Sequence, residues 1–264
     1  MIEDIVDLKR YPLHRLNDDA GKALVSRCRT ELETGGMCNL ETFIRPDTIG
    51  KALRQVTAEL ANHAFTHQRR HNIYFAPMAS GLPSDHPALM EFETINHTIC
   101  SDQIPDSVLV ELYLWPPFAE FLALIMNKPS LHVMDDLLAR VNVMSYRDGE
   151  ALNWHFDRSE FTVTLLLQSP EQGGDFIYRG GLRDDSDPNY DGIGEFLLDD
   201  QAEVSTLVLS PGTLNVFRGR NTLHRVSPVQ GNQERIMTVF SYYEEPGVSF
   251  SAEERIGFYG RSHA

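Results

Sequence analysis

Hydrophobic residues recur at helical spacing through the first half of the chain. Leu24, Cys28 and Leu32 lie four positions apart, residue 17 or 18 can cap the helix that they predict, and Gly35-Gly36 ends it. Similar patterns predict three more helices. The first begins after Pro46, the second spans 89–99 and the third begins at Pro117. We therefore expect residues 1–135 to form a mainly helical region, with an extended stretch at 71–77 and a loop at 81–86.

From about residue 139 the pattern changes to short, alternating, β-branched segments that are separated by turn residues. Eight strands are predicted, over 139–147, 152–157, 161–168, 175–178, 204–209, 213–217, 223–227 and 235–243. Eight is the strand number of a jelly-roll barrel of the cupin type, whose open mouth suits a small-molecule site. The sequence thus predicts an α+β fold, with a double-stranded β-helix core at 136–264 and the helical region 1–135 packed against it.

The segment 180–203 interrupts the predicted strands and is acidic and rich in Asp, Gly and Pro. This composition favours a mobile surface loop inserted into the core. A lid over the barrel mouth is the alternative, since long loops inside compact domains are often functional.

Composition narrows the class of protein without naming a function. The 264 residues suffice for one large domain or for a core with a helical appendage. No apolar run approaches membrane-spanning length, and the N-terminus lacks the basic-then-apolar layout of a signal peptide. We therefore expect a cytoplasmic protein without a membrane partner.

Charge and cysteine content exclude further classes. A formal net charge of -15 argues against a nucleic-acid partner, because such binding depends on neutralising phosphates. Cys28, Cys38 and Cys100 are odd in number and contain no Cys-x-x-Cys pair, so they predict neither a disulfide framework nor a zinc site. Cys28 lies on an apolar helical face, which predicts a buried small hydrophobe.

A metal-binding pattern occurs in the second predicted strand. Side chains alternate faces along a strand, so His155 and Asp157 project to one side while Phe156 points away. Trp154 and Phe156 are accordingly expected in the core. His224 begins a later strand and can return to the same barrel mouth. Two imidazoles and one carboxylate form the face that is typical of non-haem Fe(II) oxygenases.

Arg235 opens the strand that follows His224. Its planar guanidinium can make bidentate hydrogen bonds to a carboxylate, and the far carboxylate of 2-oxoglutarate needs such a partner. Tyr146, on the strand before the metal ligands, can hydrogen-bond the same cosubstrate. We therefore interpret Arg235 and Tyr146 as cosubstrate-binding residues.

These residues resemble the Fe(II)/2-oxoglutarate-dependent dioxygenase superfamily, over about 139–243. The resemblance rests on His155-Phe156-Asp157, Pro211-Gly212, His224-Arg225-Val226-Ser227-Pro228-Val229 and Arg235. The segments 153–158, 161–168 and 255–261 are similar to the BesD/HalB-like branch, which contains radical halogenases and hydroxylases of free amino acids. The resemblance implies Fe(II) held by His155, Asp157 and His224, with 2-oxoglutarate and O2 as cosubstrates. The small-molecule substrate is then expected to be a free amino acid or a related metabolite.

Position 157 distinguishes the two outcomes within this branch. Halogenases of this type have glycine or alanine there, which leaves an iron position for chloride. Asp157 fills that position with its own carboxylate, so the resemblance implies hydroxylation of an unactivated C–H bond.

Four further residues are candidates for substrate binding. Arg158 directly follows the metal triplet, and a cationic neighbour suits a substrate with a carboxylate or a neutral side chain. Arg158 is equally explained as an ion-pair partner of Glu160 or of Asp157. Arg70, Asn72 and Tyr74 can reach a substrate carboxylate over the mouth, although a helix end that runs into a strand explains them as well.

Two other functions remain open at this point. One is hydroxylation of a protein side chain, as in relatives of prolyl hydroxylase, which would need an open groove. The other is a non-catalytic jelly-roll binding module, for which Arg235 beside a complete metal triad would have no use. A homodimer is also possible.

Overall fold

Helices and strands follow one another along the chain. The computed structural model describes residues 1–75 and 81–264. The helices are α1 (Ile2–Ile5), α2 (Asp19–Gly35), α3 (Pro46–His63), α4 (Val108–Tyr113), α5 (Pro116–Ile125), α6 (Tyr190–Leu198) and α7 (Ala252–Tyr259). The strands are β1 (Met37–Leu40), β2 (Phe65–His71), β3 (Phe92–Cys100), β4 (His132–Val133), β5 (Val141–Tyr146), β6 (Leu152–His155), β7 (Thr162–Gln168), β8 (Gln172–Gly173), β9 (Phe176–Arg179), β10 (Ser205–Leu207), β11 (Leu214–Phe217), β12 (Leu223–Val226), β13 (Val229–Gln230), β14 (Arg235–Phe240) and β15 (Tyr242–Tyr243).

Two antiparallel sheets build the core. The larger sheet has seven strands in the order β1-β11-β7-β14-β5-β3-β2, and the smaller has four in the order β10-β9-β12-β6. Side chains of the two sheets meet between them, as where the ring of Phe176 on β9 lies 5.1 Å from that of Phe217 on β11. The expected jelly roll is confirmed, and every one of the eight predicted strands is present.

The outer face of the seven-stranded sheet is covered by α2, α3, α4 and α5. Leu32, Val56 and Phe118 from these helices share one buried cluster with Val143 and Leu165 of the sheet. Asp18 caps α2 by accepting a hydrogen bond from the Gly21 backbone nitrogen at 2.8 Å. Gly36 ends the helix in the left-handed conformation. The helices thus buttress the sheet as the sequence predicted.

The helix predicted over 89–99 is wrong, because most of this segment forms β3. Leu89, Phe92, Asn96 and Ile99 have helical spacing, but β3 pairs with β2 along its length and with β5 at its end. The segment is rich in β-branched residues, which favour a pleated strand. Strands β1, β2 and β3 therefore bring the first 135 residues into the same sheet as the later strands. The division at residues 135 and 136 stays a prediction about domains.

The segment 180–203 contains α6, so the preference for a surface loop without structure is wrong. Ile193 of α6 is buried beside Trp154 and Phe156 on the outer side of the four-stranded sheet. Asn189 caps the helix by accepting a hydrogen bond from the Gly192 backbone nitrogen. The acidic residues lie on the exposed side of α6 and in the segments that flank it. Their abundance is the reason why the sequence pattern suggested a loop.

Two expectations concern other parts of the chain. The stretch 71–77 continues β2 only to residue 71 and then turns through 73–75, while residues 76 and 77 lie outside the described residues. No helix of the described ranges is long and apolar enough to cross a membrane.

Candidate functional site

The centre of the site is a pair of histidines on neighbouring strands. Strand β12 pairs with β6 so that His224 lies directly opposite His155. Their ring centroids are 4.1 Å apart, and both side chains are buried. Directly opposed residues on antiparallel strands share one face, so both imidazoles point into the space between the two sheets.

Backbone carbonyls fix the orientation of both rings. Nδ1 of His155 donates to the carbonyl of Asn153 at 2.7 Å, and Nδ1 of His224 donates to that of Thr222 at 2.8 Å. A neutral imidazole that donates through Nδ1 keeps the Nε2 lone pair free. This arrangement is the one that metal-bound histidines commonly have.

Asp157 completes the group just beyond the end of β6. Its Oδ1 atom lies 3.3 Å from Nε2 of His155 and 3.6 Å from Nε2 of His224. Oδ2 accepts a hydrogen bond from Thr162 Oγ1. The three ligand atoms lie within 4.8 Å of one another, so one metal ion could contact all of them.

The ionisation of the group suits a divalent cation. Burial lowers the pKa of His155, so its imidazole is neutral at physiological pH. Burial by itself would raise the pKa of Asp157, but the two neighbouring histidines hold it well below its usual value. Two imidazoles and a carboxylate are the donor set of the non-haem iron centres.

Gly219 makes room for the carboxylate. A Cβ built on Gly219 would overlap Oδ2 of Asp157 and would lie 2.6 Å from Oγ1 of Thr162. The carbonyl of Gly219 also accepts a hydrogen bond from the Asp157 backbone nitrogen at 3.0 Å. The sequence analysis missed this residue, because a glycine required by close packing resembles a turn glycine in the sequence.

Aromatic rings surround the two histidines. Phe176 and Phe217 pack on His224 with centroid distances of 5.3 and 5.0 Å. Phe75 lies 5.4 Å from His155, and His71 packs against the Phe75 ring at 4.5 Å. These rings limit the access of water to the metal-binding atoms.

Arg235 is a buried cation, with only 4% of its surface exposed. It lies opposite Tyr146 in the pairing of β14 with β5, and its Cζ is 5.8 Å from the Tyr146 ring. Nη1 contacts Sδ of Met237, and among the described residues Arg235 takes part in no ion pair. A buried guanidinium without a directly paired carboxylate is unfavourable, and Asp175 acts on Arg235 only without an ion pair, so Arg235 is suited to bind the carboxylate of a small molecule.

The surroundings of Arg235 fit such a molecule. A cavity of about 220 Å³ is lined by Arg235, Leu166 and Phe176, and Phe176 also packs on His224. The Tyr146 hydroxyl is buried and has no hydrogen-bond partner within the described structure, and burial raises its pKa to about 12. A buried neutral hydroxyl without a partner can donate to a ligand oxygen. The residues present therefore fit 2-oxoglutarate beside a metal ion.

The four predicted substrate residues lie in different surroundings. Arg70 is exposed and lies 3.4 Å from Glu91 on the outer side of β2. The Tyr74 hydroxyl donates to the carbonyl of Pro188, next to α6. Asn72 is buried, and its Oδ1 accepts a hydrogen bond from the Tyr74 backbone nitrogen. The role of these three residues in substrate binding stays a prediction.

Arg158 contacts the C-terminal helix. Its Nη2 donates to Oε1 of Glu254 at 2.8 Å, and its Cζ lies 5.9 Å from the ring of Phe258 on α7. The ion-pair partner is therefore Glu254, whereas the sequence suggested Glu160 or Asp157. The role of Arg158 in substrate binding stays a prediction.

Arg69 is a residue that the sequence analysis missed. It shares a face of β2 with His71, two positions later, whereas Arg70 points to the other face. Its Nε atom is buried without a hydrogen-bond partner in the described parts of the chain, and its Cζ lies 4.2 Å from the Phe75 ring. The alternation of faces along a strand places Arg69 on the side of His71, and this was the available signal. It could be used only if 65–71 was known to be a strand.

Trp154 and Phe156 point away from the histidines, as predicted. Both belong to the buried cluster with Ile193. Arg225 lies over the Trp154 ring at 4.7 Å and Arg183 over the Phe156 ring at 4.1 Å. This side of the four-stranded sheet is therefore a packed layer, separate from the metal-binding side.

Comparison with models of protein families shows to which family the chain belongs. The model of the halogenase D family matches residues 20–254, which is most of the sequence and includes every ligand atom described above. The chain belongs to the halogenase D family. No curated protein matches it at a significant level.

Solved structures with the same fold are iron oxygenases. The alpha-ketoglutarate-dependent epimerase SnoN of nogalamycin biosynthesis has a TM-score of 0.58 and 14% identity, covering 84% of this chain and 83% of its own. A 2OG-Fe(II) oxygenase family protein from Burkholderia pseudomallei has a TM-score of 0.52 and 14% identity, covering 85% and 92%. SnoN has also been solved with Fe3+, alpha ketoglutarate and nogalamycin RO. These matches confirm the expected fold, and the donor set of this halogenase-family chain, His155, Asp157 and His224, is able to bind an iron ion.

Substitution of Gly219 tests the packing around Asp157. Gly219→Ala is expected to weaken Fe(II) binding about 10–100-fold, as changes to groups that support metal ligands commonly do. Anaerobic Fe(II) titration measures the effect. Gly257→Ala is the matched control, because a Cβ at Gly257 in α7 meets no atom within 4 Å. Equal affinities in the two variants would contradict the proposed role of Gly219.

Proposed function

We propose that this protein is an Fe(II)- and 2-oxoglutarate-dependent hydroxylase of a free amino acid or a closely related small metabolite. The observation that carries the proposal is the position of Asp157, whose Oδ1 approaches the Nε2 atoms of His155 and His224 at 3.3 and 3.6 Å. The halogenases that the chain resembles have glycine or alanine at this position. A carboxylate here takes the place at the metal that chloride needs, which supports hydroxylation over halogenation.

The residues would divide the reaction between them. His155, Asp157 and His224 would hold the metal, while Thr162 holds Oδ2 of Asp157 so that Oδ1 faces the histidines. Arg235 would bind the far carboxylate of 2-oxoglutarate, with the Tyr146 hydroxyl as a further donor. Bound iron, 2-oxoglutarate and O2 together supply the oxidant that breaks a C–H bond, with succinate and CO2 as the other products.

Arg69 supports a substrate that carries a carboxylate. It is a half-buried cation that faces the Phe75 ring, which in turn packs on His155. Among the described residues Arg69 is in no ion pair, so an anionic ligand would compensate its burial. Burial lowers its pKa, which marks the cost of leaving this charge unpaired. The carboxylate of a free amino acid is an anion of suitable size.

Product analysis tests the reaction type. Protein loaded with Fe(II) is supplied with 2-oxoglutarate, O2, chloride and a panel of free amino acids, with peptides of the same composition as a second arm. Succinate release is expected with a free amino acid, and mass spectrometry is expected to show one added oxygen atom. A chlorinated product from the unmodified protein would contradict the proposal. Turnover of the peptides alone would favour a protein side-chain hydroxylase.

Replacement of Arg235 tests cosubstrate binding. Arg235→Ala is expected to raise the KM for 2-oxoglutarate about 10–100-fold, since hydrogen bonds to a charged group contribute roughly 1.5–3 kcal/mol. The control is Arg179→Ala, which removes an arginine at the end of β9 that forms a surface ion pair with Glu203. The KM is measured by succinate formation. An unchanged KM in Arg235→Ala would place the cosubstrate carboxylate elsewhere.

Two neighbouring arginines on opposite faces of β2 allow a matched test of substrate binding. Arg69→Gln is expected to raise the KM for the amino acid about 10–100-fold, because it removes the cation on the inner face. Arg70→Gln, on the outer face beside Glu91, is expected to leave that KM unchanged. Both are compared at saturating 2-oxoglutarate. The reverse result would restore Arg70 as the substrate residue that the sequence suggested.

A further inference from the structure

Two of the three cysteines lie next to each other where the helical layer meets the seven-stranded sheet, on elements that do not carry the metal-binding group. Cys28 is in the middle of α2 and Cys38 is in β1, and both side chains have no exposed surface. Their Sγ atoms and a carboxylate oxygen of Glu31 all lie within 4.8 Å of one another. The role of a small hydrophobe in the core, which the sequence predicted for Cys28, does not explain why a second thiol and a carboxylate lie beside it.

Glu31 connects the two thiols to the surface. Its side chain is 38% exposed, and Nη1 of Arg27 donates to its Oε1 at 2.8 Å. An open groove of about 630 Å³ runs along the same side of α2 and is lined by Leu24, Arg27 and Asn39, the neighbours of the two cysteines. The groove therefore reaches Arg27 and Asn39, each one residue away in the sequence from a cysteine.

The two sulfur atoms are chemically unequal. A hydrogen bond between them lowers the pKa of Cys28 against the opposing effect of burial, and the same hydrogen bond together with burial raises the pKa of Cys38. The nearby Arg27 guanidinium also favours a thiolate at Cys28. A thiol with a lowered pKa next to a second thiol is the arrangement of a reactive and a resolving cysteine.

We propose that Cys28 and Cys38 form a redox-active dithiol that hydrogen peroxide converts to a disulfide. The Cys28 thiolate attacks one peroxide oxygen, the O–O bond breaks, and a sulfenic acid and water form after protonation. The Cys38 sulfur then attacks the Cys28 sulfur, the S–OH bond breaks, and a second water leaves. Both cysteines are oxidised by one electron each, and the peroxide is reduced to two molecules of water.

A metal ion is the other ligand that two thiolates could take. Structural zinc sites have four protein ligands, and the described residues supply three here. The carboxylate of the third ligand is already bound to Arg27, whose positive charge would also repel a cation. The geometry therefore favours a covalent link between the two sulfur atoms over a metal site.

The dithiol lies close to the wall of the metal-binding group. Strand β1 pairs with β11, so that Met37, beside Cys38, lies opposite Phe217, whose ring packs on His224. The carbonyl of Gly36 accepts a hydrogen bond from the Arg218 backbone nitrogen at 2.9 Å. A disulfide would join α2 covalently to the strand that supports this wall.

Oxidation of the folded, metal-free protein tests the proposal. The protein is treated with a chelator, so that bound iron cannot consume peroxide, and is then titrated with hydrogen peroxide. Free thiols counted after denaturation are expected to fall from three to one, with an intact mass lower by two hydrogen atoms. Dithiothreitol is expected to restore all three. Peptide mapping is expected to show Cys28 linked to Cys38.

Variants at each cysteine provide the controls. Cys100→Ser is expected to lose two thiols as the unmodified protein does, because Cys100 is buried apart from the pair. Cys28→Ser and Cys38→Ser are each expected to form no intramolecular disulfide. If either variant does not fold, the peptide map of the unmodified protein still identifies the link.

Three results would overturn the proposal. The first is a folded protein that keeps three thiols at peroxide concentrations that oxidise the denatured chain. The second is a disulfide that includes Cys100. The third is protein purified with one equivalent of zinc that a thiol reagent releases, which would show a metal site. None of these depends on catalytic activity, so failure here is distinct from failure of the proposed hydroxylase.

Discussion

The pairing of β6 with β12 is the constraint on which the rest of the site depends. It places His155 opposite His224 and points both rings into the space between the sheets. A slip of one residue would turn one imidazole to the outer face, where Trp154 and Phe156 pack against α6. The packed outer layer therefore protects the register, because a slipped strand would bury the polar side chains of Asn153 and His155 in this apolar layer.

The third ligand depends on contacts from other elements. Asp157 follows the end of β6, so strand pairing does not hold it; its backbone nitrogen donates to Gly219 and its Oδ2 accepts from Thr162. Thr162 begins β7 of the seven-stranded sheet, which α2 and α3 support from behind. The position of the Asp157 carboxylate thus depends on how the two sheets are placed relative to each other.

Two arginines near the metal-binding side form no ion pair with the described residues. Arg235 is buried beside Tyr146, and Arg69 is half-buried over Phe75. Unpaired buried charges reduce the stability of the folded state, and proteins retain them where a ligand compensates the charge. In the proposed hydroxylase, Arg235 would bind the cosubstrate and Arg69 the substrate.

Local patterns in the sequence determined the elements whose signals are short-range. Alternation predicted that His155 and Asp157 share a face, and the cap and the glycine pair predicted the ends of α2. These inferences held because they depend on the period of a strand or on caps within one turn of a helix.

Other features were decided only by tertiary contacts. Helical spacing and strand propensity conflict in 92–99, and pairing with β2 and β5 decides for a strand. That outcome turns Arg69 inward in place of Arg70, although the two residues are equivalent in the sequence. Gly219 and the Cys28–Cys38 pair depend on distances between separate elements. The periodicity of one segment contains no information on what its side chains meet across the core.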